Sequence, residues 1–372
     1  MRIGIPALYA PFPYRRQPVY RALEEACTDW LASLNPPLDD EQRKLLASCN
    51  SSAASRVFCS DIPTELLQPF HDWAVVATFF DKVILGTPPV SRDIAKMAEI
   101  VDTVMTAMES PLGKPAGEDF FITAWKSLAD RIRLHAAPSV MTRWLEGHRQ
   151  FFLGHLHQQA LALAGRQCDL DTYACLRRKT FWAPVVPPAM EMSRGDDLSD
   201  AYLNHPELQA MSQAAQLLWA WDNDIFSYGR DFPGCLGGPE IREGQEVNLV
   251  EIIRTTYRCD LPEAFERAVR LRNQIMVLFT RLSEEFTPHD DAVRTHIGDL
   301  GRSVSGNIAF HHAHDTDWYC CAGHTSSTRP QITLGSSITD ISPPEAGDPL
   351  PWRSIGWWWE LVPSVPAGRN AD

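Results

Sequence analysis

The chain has 372 residues, of which 44% are apolar and 10% aromatic, enough to bury a large hydrophobic core. Its formal net charge of −13, with no long run of Lys and Arg, argues against a nucleic-acid or anionic-membrane partner. The nine cysteines form no C-x-x-C pair, which favours reduced thiols and a cytoplasmic protein.

Prolines interrupt the first residues, Met1 to Pro11, where an export signal would need an unbroken apolar segment. The densest apolar run, Trp73 to Phe80, is much shorter than the ~20 residues that cross a bilayer. We therefore expect neither export nor a membrane span.

Helical periodicity dominates the sequence after an arm, residues 1–17, that is predicted to be irregular. Helices are predicted over Val19–Leu34, Gln42–Leu46, Ser55–Phe58, Pro63–Asp81, Ser91–Ala107, Ala124–Leu134, Val140–Ala164 and Pro262–Phe286. Strand-like alternation is almost absent. The sequence thus predicts an all-α protein with one domain over residues 1–321.

A basic helix followed by a proline-rich break is predicted within residues 169–193. Three cations, Arg177 to Lys179, precede Phe181 and Trp182, and prolines follow at 184, 187 and 188. Proline lacks a backbone donor and disfavours helix in the preceding residue, so carbonyls near Phe181 are freed. Taken alone, the three cations are most simply a solvated helix face.

Residues 221–231 contain the strongest chemical signal. In a helix, Asn223, Ser227 and Asp231 recur every fourth residue and lie within an arc of about 80°. Their amide, hydroxyl and carboxylate oxygens are hard ligands that suit Mg²⁺. Arg230 can reach the anion that such a metal holds. The simpler alternative is that Asn and Asp residues cap an ordinary helix.

This stretch resembles the second metal motif of class I terpene synthases, N-D-(L/I/V)-x-S-x-x-(K/R)-E, with Asp231 in place of the final Glu. The resemblance covers about residues 10–320 and implies a single-domain α-helical bundle around a central cavity. It also implies up to three Mg²⁺ ions, with metal ligands Asp81, Asn223, Ser227 and Asp231.

The basic helix is similar to the family pattern Y-x-x-x-R-R-x-T. Arg177 lies 46 residues before Asn223, the separation of the family's diphosphate-sensing arginine. The resemblance makes Thr180 the linker and places Phe181 near the effector carbonyl. It implies catalytic roles for Arg177, Phe181 and Arg230.

Residues 302–319 resemble the last catalytic helix of the family, where S-G-N and an aromatic residue precede R-Y. Asn307 and Phe310 match this pattern, and Tyr319 keeps the catalytic tyrosine. Trp318 replaces the arginine, which exchanges a diphosphate donor for a large π-face.

The Asp-rich first metal motif is incomplete in this chain. Family members carry D-D-x-x-(D/E) after an aromatic pair, whereas this chain has Phe79-Phe80-Asp81-Lys82 and keeps one carboxylate. Either the site works with more phosphate and water ligands, which we favour, or metal binding is weak. Lys82 either contacts phosphate or points to solvent.

Aromatic residues flank the motifs and are candidate walls for a cavity in which a carbocation meets no water. The predicted substrate-binding residues are Phe79, Phe80, Lys82, Thr180, Trp182, Trp219, Asn307, Phe310 and Trp318. For each aromatic residue taken singly, core packing is the simpler role.

Histidines 311, 312 and 314, with Asp315 and Asp317, offer an alternative transition-metal site. No HExxH-like partner pattern accompanies them, so a local polar network is the preferred interpretation.

The resemblance implies a terpene cyclase that ionises a linear isoprenyl diphosphate, with Mg²⁺-assisted diphosphate departure and carbocation cyclisation. Farnesyl diphosphate, giving a sesquiterpene, is favoured for a single-domain chain of this size, and geranylgeranyl diphosphate is the alternative. A non-catalytic isoprenyl-diphosphate binder and a prenyltransferase are further hypotheses. A prenyltransferase would carry two intact Asp-rich motifs. A homodimer is left open.

Residues 322–372 change to a Ser, Thr, Pro and Gly composition without a period, so we expect a largely disordered tail. The tryptophan-rich segment Trp352 to Leu361 is the exception, since it either docks on the domain or a partner, or forms a local collapse.

Overall fold

The computed structural model describes residues 2–14, 20–34, 62–85, 90–113, 119–231, 247–312, 331–334, 339–340, 342–345 and 347–362. The predicted helices at 42–46 and 55–58 lie outside these residues. Among the described helices, none combines the length and the apolarity needed to cross a bilayer.

Helices form most of the described structure, and the predicted all-α fold is confirmed. They are α1 (Tyr20–Ser33), α2 (Thr64–Phe79), α3 (Ile94–Glu109), α4 (Phe120–Arg133), α5 (Pro138–Leu163), α6 (Leu170–Thr180), α7 (Val186–Arg194), α8 (Asp200–Leu203), α9 (Pro206–Asp231), α10 (Leu249–Tyr257), α11 (Leu261–Glu285), α12 (Asp291–His312) and α13 (Trp357–Glu360). Aspartate caps begin several of them, including Asp93, Asp119, Asp169 and Asp260.

Helix α9 lies at the centre of the bundle. It packs against α6, α10, α11 and α12. Its middle is buried on all faces, including Leu217, Leu218 and Trp221, as expected for a helix enclosed by others. The side chains of its buried stretch, residues 217–228, are therefore held in fixed directions by several neighbours.

Two glycines on α5 let the end of α6 and the segment after it approach closely. A methyl group on Gly147 would lie 2.6 Å from the Pro184 carbonyl oxygen, and one on Gly154 would lie 2.7 Å from Cβ of Lys179. The glycines are seven residues apart, two helical turns, so they share one face of α5. The break after α6 is thereby seated against α5.

The N-terminal arm differs from the irregular segment that the sequence predicts. Strands β1 (Arg2–Ile5) and β3 (Gln331–Leu334) pair in parallel, as do β2 (Leu8–Tyr9) and β4 (Thr339–Asp340). Such short strands are stabilised by their partners and carry no alternating pattern of useful length. The arm and part of the tail are thus joined.

The tail also differs from the predicted disorder over residues 347–362, where the docking alternative applies. Trp358 is fully buried, and Trp352 packs edge-to-face on Trp221 with ring centres 6.0 Å apart. Asp171 of α6 accepts hydrogen bonds from the backbone of Arg353 and Ser354. Burial of the tryptophan side chains offsets the chain entropy that this segment loses when it becomes ordered. The overall composition of the tail does not indicate this compensation. The predicted domain boundary at residue 321 stays a prediction.

Candidate active site

Two hydrogen bonds join the two strongest sequence motifs. Arg177, on the last turn of α6, donates from Nη2 to Oδ1 of Asn223 on α9 over 2.9 Å. Nε of the same guanidinium donates to Oδ1 of Asp224, also over 2.9 Å. The predicted diphosphate sensor therefore lies against the predicted metal ligand.

Asp224 holds this arrangement together from within the bundle. Its Oδ2 accepts hydrogen bonds from the Tyr173 hydroxyl and from the Leu249 backbone N–H. Asn248, which caps α10, donates to the Asp224 backbone carbonyl over 3.0 Å. A buried carboxylate needs such donors. Asp224 thus joins α9 to α6 and α10.

Asp222 fixes α9 on its other side. It forms an ion pair of 2.8 Å with Arg272 of α11, and both side chains are completely buried. Burial raises the pKa of Asp222, while the Arg272 charge opposes that rise. Arg272 also donates to the Tyr9 carbonyl, which connects the ion pair to the N-terminal arm.

Asn223 and Ser227 have the burial and chemistry expected of metal ligands. They lie one turn apart on α9 and are 7% and 0% exposed. An amide oxygen and a hydroxyl are hard ligands that fit an ion such as Mg²⁺. The backbone of α9 continues in helical conformation through Arg230 and Asp231.

Asp81 lies in a π-helical turn, Phe80–Ile84, that continues α2, and its side chain is half-buried. Single π-turns occur often at functional sites. Lys82 belongs to the same turn. Trp318 and Tyr319 lie outside the described residues.

The predicted break follows α6 at Phe181 and Trp182. Trp182 adopts φ 59°, the left-handed conformation that a bulky residue adopts only under strain. Its ring stacks on Phe181 at 5.5 Å and meets Trp73 edge-to-face at 5.1 Å. Prolines 187 and 188 open α7 rather than end α6.

Phe181 and Thr180 flank the sensor. The Arg177 guanidinium lies 5.3 Å from the Phe181 ring centre, a cation–π contact. Nη1 of Arg177 donates to the buried Thr180 hydroxyl over 3.3 Å. The structure therefore brings together Arg177, Thr180, Phe181 and Asn223.

Several of the predicted substrate-binding residues pack against neighbouring helices. Phe80 is fully buried among Phe121, Phe152 and His155, and Phe79 packs against Phe120. The Trp219 indole donates to Ser303, and the Asn307 amide donates to the Trp219 carbonyl. These contacts join neighbouring helices to one another, as is usual for side chains in a helical core. Phe310 is buried beside His311.

His311 was assigned to a local polar network in preference to a transition-metal site, and the structure shows its hydrogen-bond partners. Its Nε2 lies 3.1 Å from Nδ2 of Asn223, and its Nδ1 lies 2.7 Å from the Asn307 carbonyl. Both ring nitrogens thus take part in hydrogen bonds. His314, Asp315 and Asp317 are outside the described residues.

Tyr173, Asp224 and Asn248 were not predicted as site residues. Tyr173 had a usable signal, since it lies four residues before Arg177 and therefore on the same face of α6. Asp224 and Asn248 depend on which helices meet, and sequence periodicity does not specify that.

Cys27, His71 and Asp72 form a buried cluster close enough to hold a metal ion. Asp72 already accepts hydrogen bonds from Arg131 at 2.5 Å and Gln68 at 2.8 Å. Burial, reinforced by the Asp72 charge, raises the pKa of the Cys27 thiol and keeps it protonated. A protonated thiol and a carboxylate paired with arginine are typical of a polar network.

Both the sequence and the fold of this chain match known proteins. The family profile "Terpene synthase family 2, C-terminal metal binding" matches residues 72–276. Bonnadiene synthase from Allokutzneria albata is 24% identical, with 96% of this chain and 98% of the relative covered. (+)-T-muurolol synthase from Streptomyces clavuligerus is 24% identical over 96% of this chain and 82% of its own.

Solved structures share the fold. The SVS_A2 protein from ancestral sequence reconstruction superimposes with a TM-score of 0.79 at 22% identity, over 96% of this chain and 98% of the other. A structure of a-eudesmol synthase gives 0.67 at 18% identity, over 81% and 97%. Because the family profile spans more than half of the chain, from α2 through the break and α9 into α11, the chain belongs to terpene synthase family 2 and is a class I terpene synthase.

Proposed function

We propose that this enzyme ionises a linear isoprenyl diphosphate with Mg²⁺ and cyclises the resulting cation, with farnesyl diphosphate as the first substrate to test. Several relatives support this choice, because the names of the T-muurolol, alpha-amorphene and 4-epi-cubebol synthases specify cyclisation of (2E,6E)-farnesyl diphosphate. Geranylgeranyl diphosphate is the alternative.

In the proposed reaction, the bond between the allylic carbon and the diphosphate oxygen breaks and its electron pair leaves with the diphosphate. Bound Mg²⁺ supplies positive charge to the departing anion. Asn223, Ser227, Asp231 and Asp81 would hold it. Arg177 would donate to the same anion, and Thr180 holds the guanidinium through a hydrogen bond of 3.3 Å. Ring closure and loss of a proton, or addition of water, then complete the reaction.

The hydrogen bond between Arg177 and Asn223 is the observation that supports the proposal most directly. It places the cation that would bind diphosphate within 2.9 Å of the oxygen that would bind metal. Two groups that act on one leaving group have to belong to the same site.

A non-catalytic binder remains the second candidate, because the Phe79-Phe80-Asp81-Lys82 sequence carries one carboxylate where the family carries several. Fewer carboxylates weaken the hold on divalent ions and leave diphosphate binding to the cations. Both candidates would bind an isoprenyl diphosphate, but only the enzyme would convert it to product.

The test is incubation of the full chain with C10, C15 and C20 isoprenyl diphosphates and Mg²⁺, with diphosphate release and volatile hydrocarbons or alcohols measured. The expected result is cyclic product from the C15 substrate, lost on Asn223→Ala and kept on Asn204→Ala, an exposed asparagine of the α8 end. Tight binding of a non-hydrolysable analogue without turnover would favour the binder. Full activity of Asn223→Ala would remove α9 from the proposed site.

A further inference from the structure

The side-chain amide of Asn223 is held at both ends. Arg177 donates to Oδ1 over 2.9 Å, and Nδ2 faces Nε2 of His311 over 3.1 Å. The two ends of a carboxamide are nearly equal in shape, yet oxygen alone can ligate a cation. Whichever neighbour decides the orientation of this amide therefore decides whether Asn223 can act as a ligand.

The direction of each hydrogen bond follows from the two outer groups, the Asn307 carbonyl, which can only accept, and the Arg177 guanidinium, which can only donate. The Asn307 carbonyl, 2.7 Å from Nδ1 of His311, can only accept, so the ring proton is on Nδ1. Nε2 then carries a lone pair and accepts from Nδ2 of Asn223. The amide oxygen is consequently turned away from His311 and toward Arg177.

The imidazole ring has little freedom to rotate. His311 is 1% exposed, and Phe226 stacks on it at 5.4 Å with an interplanar angle of 16°. Phe310 contacts the same ring edge-to-face at 5.1 Å. Phe226 lies three residues after Asn223 on α9, so the helix that bears the amide also holds the ring that orients it.

We propose that His311 is a positioning residue that directs the Asn223 oxygen toward the metal position by accepting the amide N–H. This inference rests on the proposed function, because it assigns His311 a role only if Asn223 is a ligand. It concerns an acceptor on α12 that acts through the amide and does not itself contact metal or substrate.

The test measures Mn²⁺ binding in the presence of inorganic diphosphate by the loss of the free-ion EPR signal, so turnover is not needed. Mn²⁺ takes the same hard oxygen ligands as Mg²⁺. His311→Phe keeps an aromatic ring and removes the acceptor, and it should weaken Mn²⁺ binding by about tenfold or more. His311→Gln restores an acceptor oxygen and should recover most of that loss. His157→Phe, an exposed histidine on α5, is the matched control.

A double-mutant cycle separates orientation from packing. In an Asn223→Asp background both side-chain termini are oxygens, so the loss caused by His311→Phe should shrink to less than about twofold. An equal loss in both backgrounds, no loss in the wild-type background, or a wild-type chain that binds no Mn²⁺ would each overturn the inference.

A measurement on the wild-type chain covers the case in which the variants do not fold. Long-range ¹H–¹⁵N spectra of histidine-labelled protein report which ring nitrogen of His311 carries the proton. The Nδ1–H tautomer is expected, and an Nε2–H tautomer would overturn the inference. If no diphosphate is released from any of the three substrates, the proposed function fails, whereas the Mn²⁺ and tautomer results still decide the role of His311.

Discussion

The guanidinium of Arg177 and the amide oxygen of Asn223 are joined by a hydrogen bond of 2.9 Å. A metal ion on that oxygen would lie a few ångströms from the guanidinium, and like charges at that distance repel. Diphosphate offers Arg177 another acceptor and removes the conflict. Binding of metal and binding of diphosphate are therefore expected to favour each other.

Arg177→Gln tests this coupling. Without diphosphate, the variant should bind Mn²⁺ about threefold or more tightly than wild type, because a positive charge beside the ligand is gone. Product formation should nevertheless fall at least about a hundredfold, as expected for loss of a donor to the leaving group. Arg267→Gln, on the surface of α11, is the control. Weaker Mn²⁺ binding by Arg177→Gln without diphosphate would contradict the coupling.

Gly147→Ala should displace the break that follows α6. The new methyl group would lie 2.6 Å from the Pro184 carbonyl oxygen, a backbone atom that cannot rotate away. Overpacking of this kind costs about 1–3 kcal/mol in the free energy of unfolding, and turnover should fall as Phe181 moves. Thermal melting and diphosphate release measure the two effects.

Gly298→Ala on α12 is the matched control, since its nearest neighbours are the flexible guanidinium atoms of Arg302. Removing a helical glycine there should be neutral or stabilising by up to about 1 kcal/mol. Equal changes in melting temperature and in diphosphate release for the two variants would mean that the break does not pack against α5.

Stability should fall on mild acidification. Burial lowers the pKa of His148 to about 3, and burial together with the Arg194 charge lowers that of His296 to about 3, against 6.5 for a free imidazole. The unfolded chain then binds more protons than the folded chain between pH 6.5 and 3. Neither histidine lowers the free energy of unfolding above pH 6.5, and below that pH each lowers it by up to about 1.4 kcal/mol per pH unit.

Melting temperatures at pH 8, 7, 6 and 5 check this slope. His148→Gln should have a shallower decline below pH 6.5 than wild type, whatever its absolute stability, because one buried imidazole is absent. His157→Gln, at an exposed position, should keep the wild-type slope. A wild-type melting temperature that rises from pH 7 to pH 5 would refute the assignment.

Trp358→Ala should destabilise the whole helical body. Its side chain is fully buried although it belongs to the C-terminal segment, so truncation should cost about 3–5 kcal/mol in the free energy of unfolding. Trp359→Ala, at a half-buried position, should cost clearly less. Urea denaturation monitored by circular dichroism gives both values. A negligible effect of Trp358→Ala would mean that the segment is dispensable for folding.

Local signals predicted the helices and the break well. The period of α5 and α11 and the prolines after Trp182 lie within a few residues of the features they produce. The meeting of Arg177 with Asn223 was accessible too, because two motifs with related chemistry imply a shared location.

Contacts between distant segments were not accessible in the same way. Whether His311 faces Asn223 depends on the rotation of α12 against α9, which no local pattern specifies. The pairing of β1 with β3 joins residues more than 300 positions apart through strands too short for a periodic signal. Docking of Trp358 likewise depends on a surface that other helices build.

Asp222, Asn223 and Asp224 are consecutive, so their side chains leave α9 about 100° apart. They reach Arg272 on α11, His311 on α12 and Tyr173 on α6 respectively. Inserting or deleting one residue earlier in α9 would turn all three by about 100° and break the three connections at once. The length of this helix is consequently as constrained as its composition, and shuffled or chimaeric relatives should keep function only when segments of α9 are exchanged without a change in residue count.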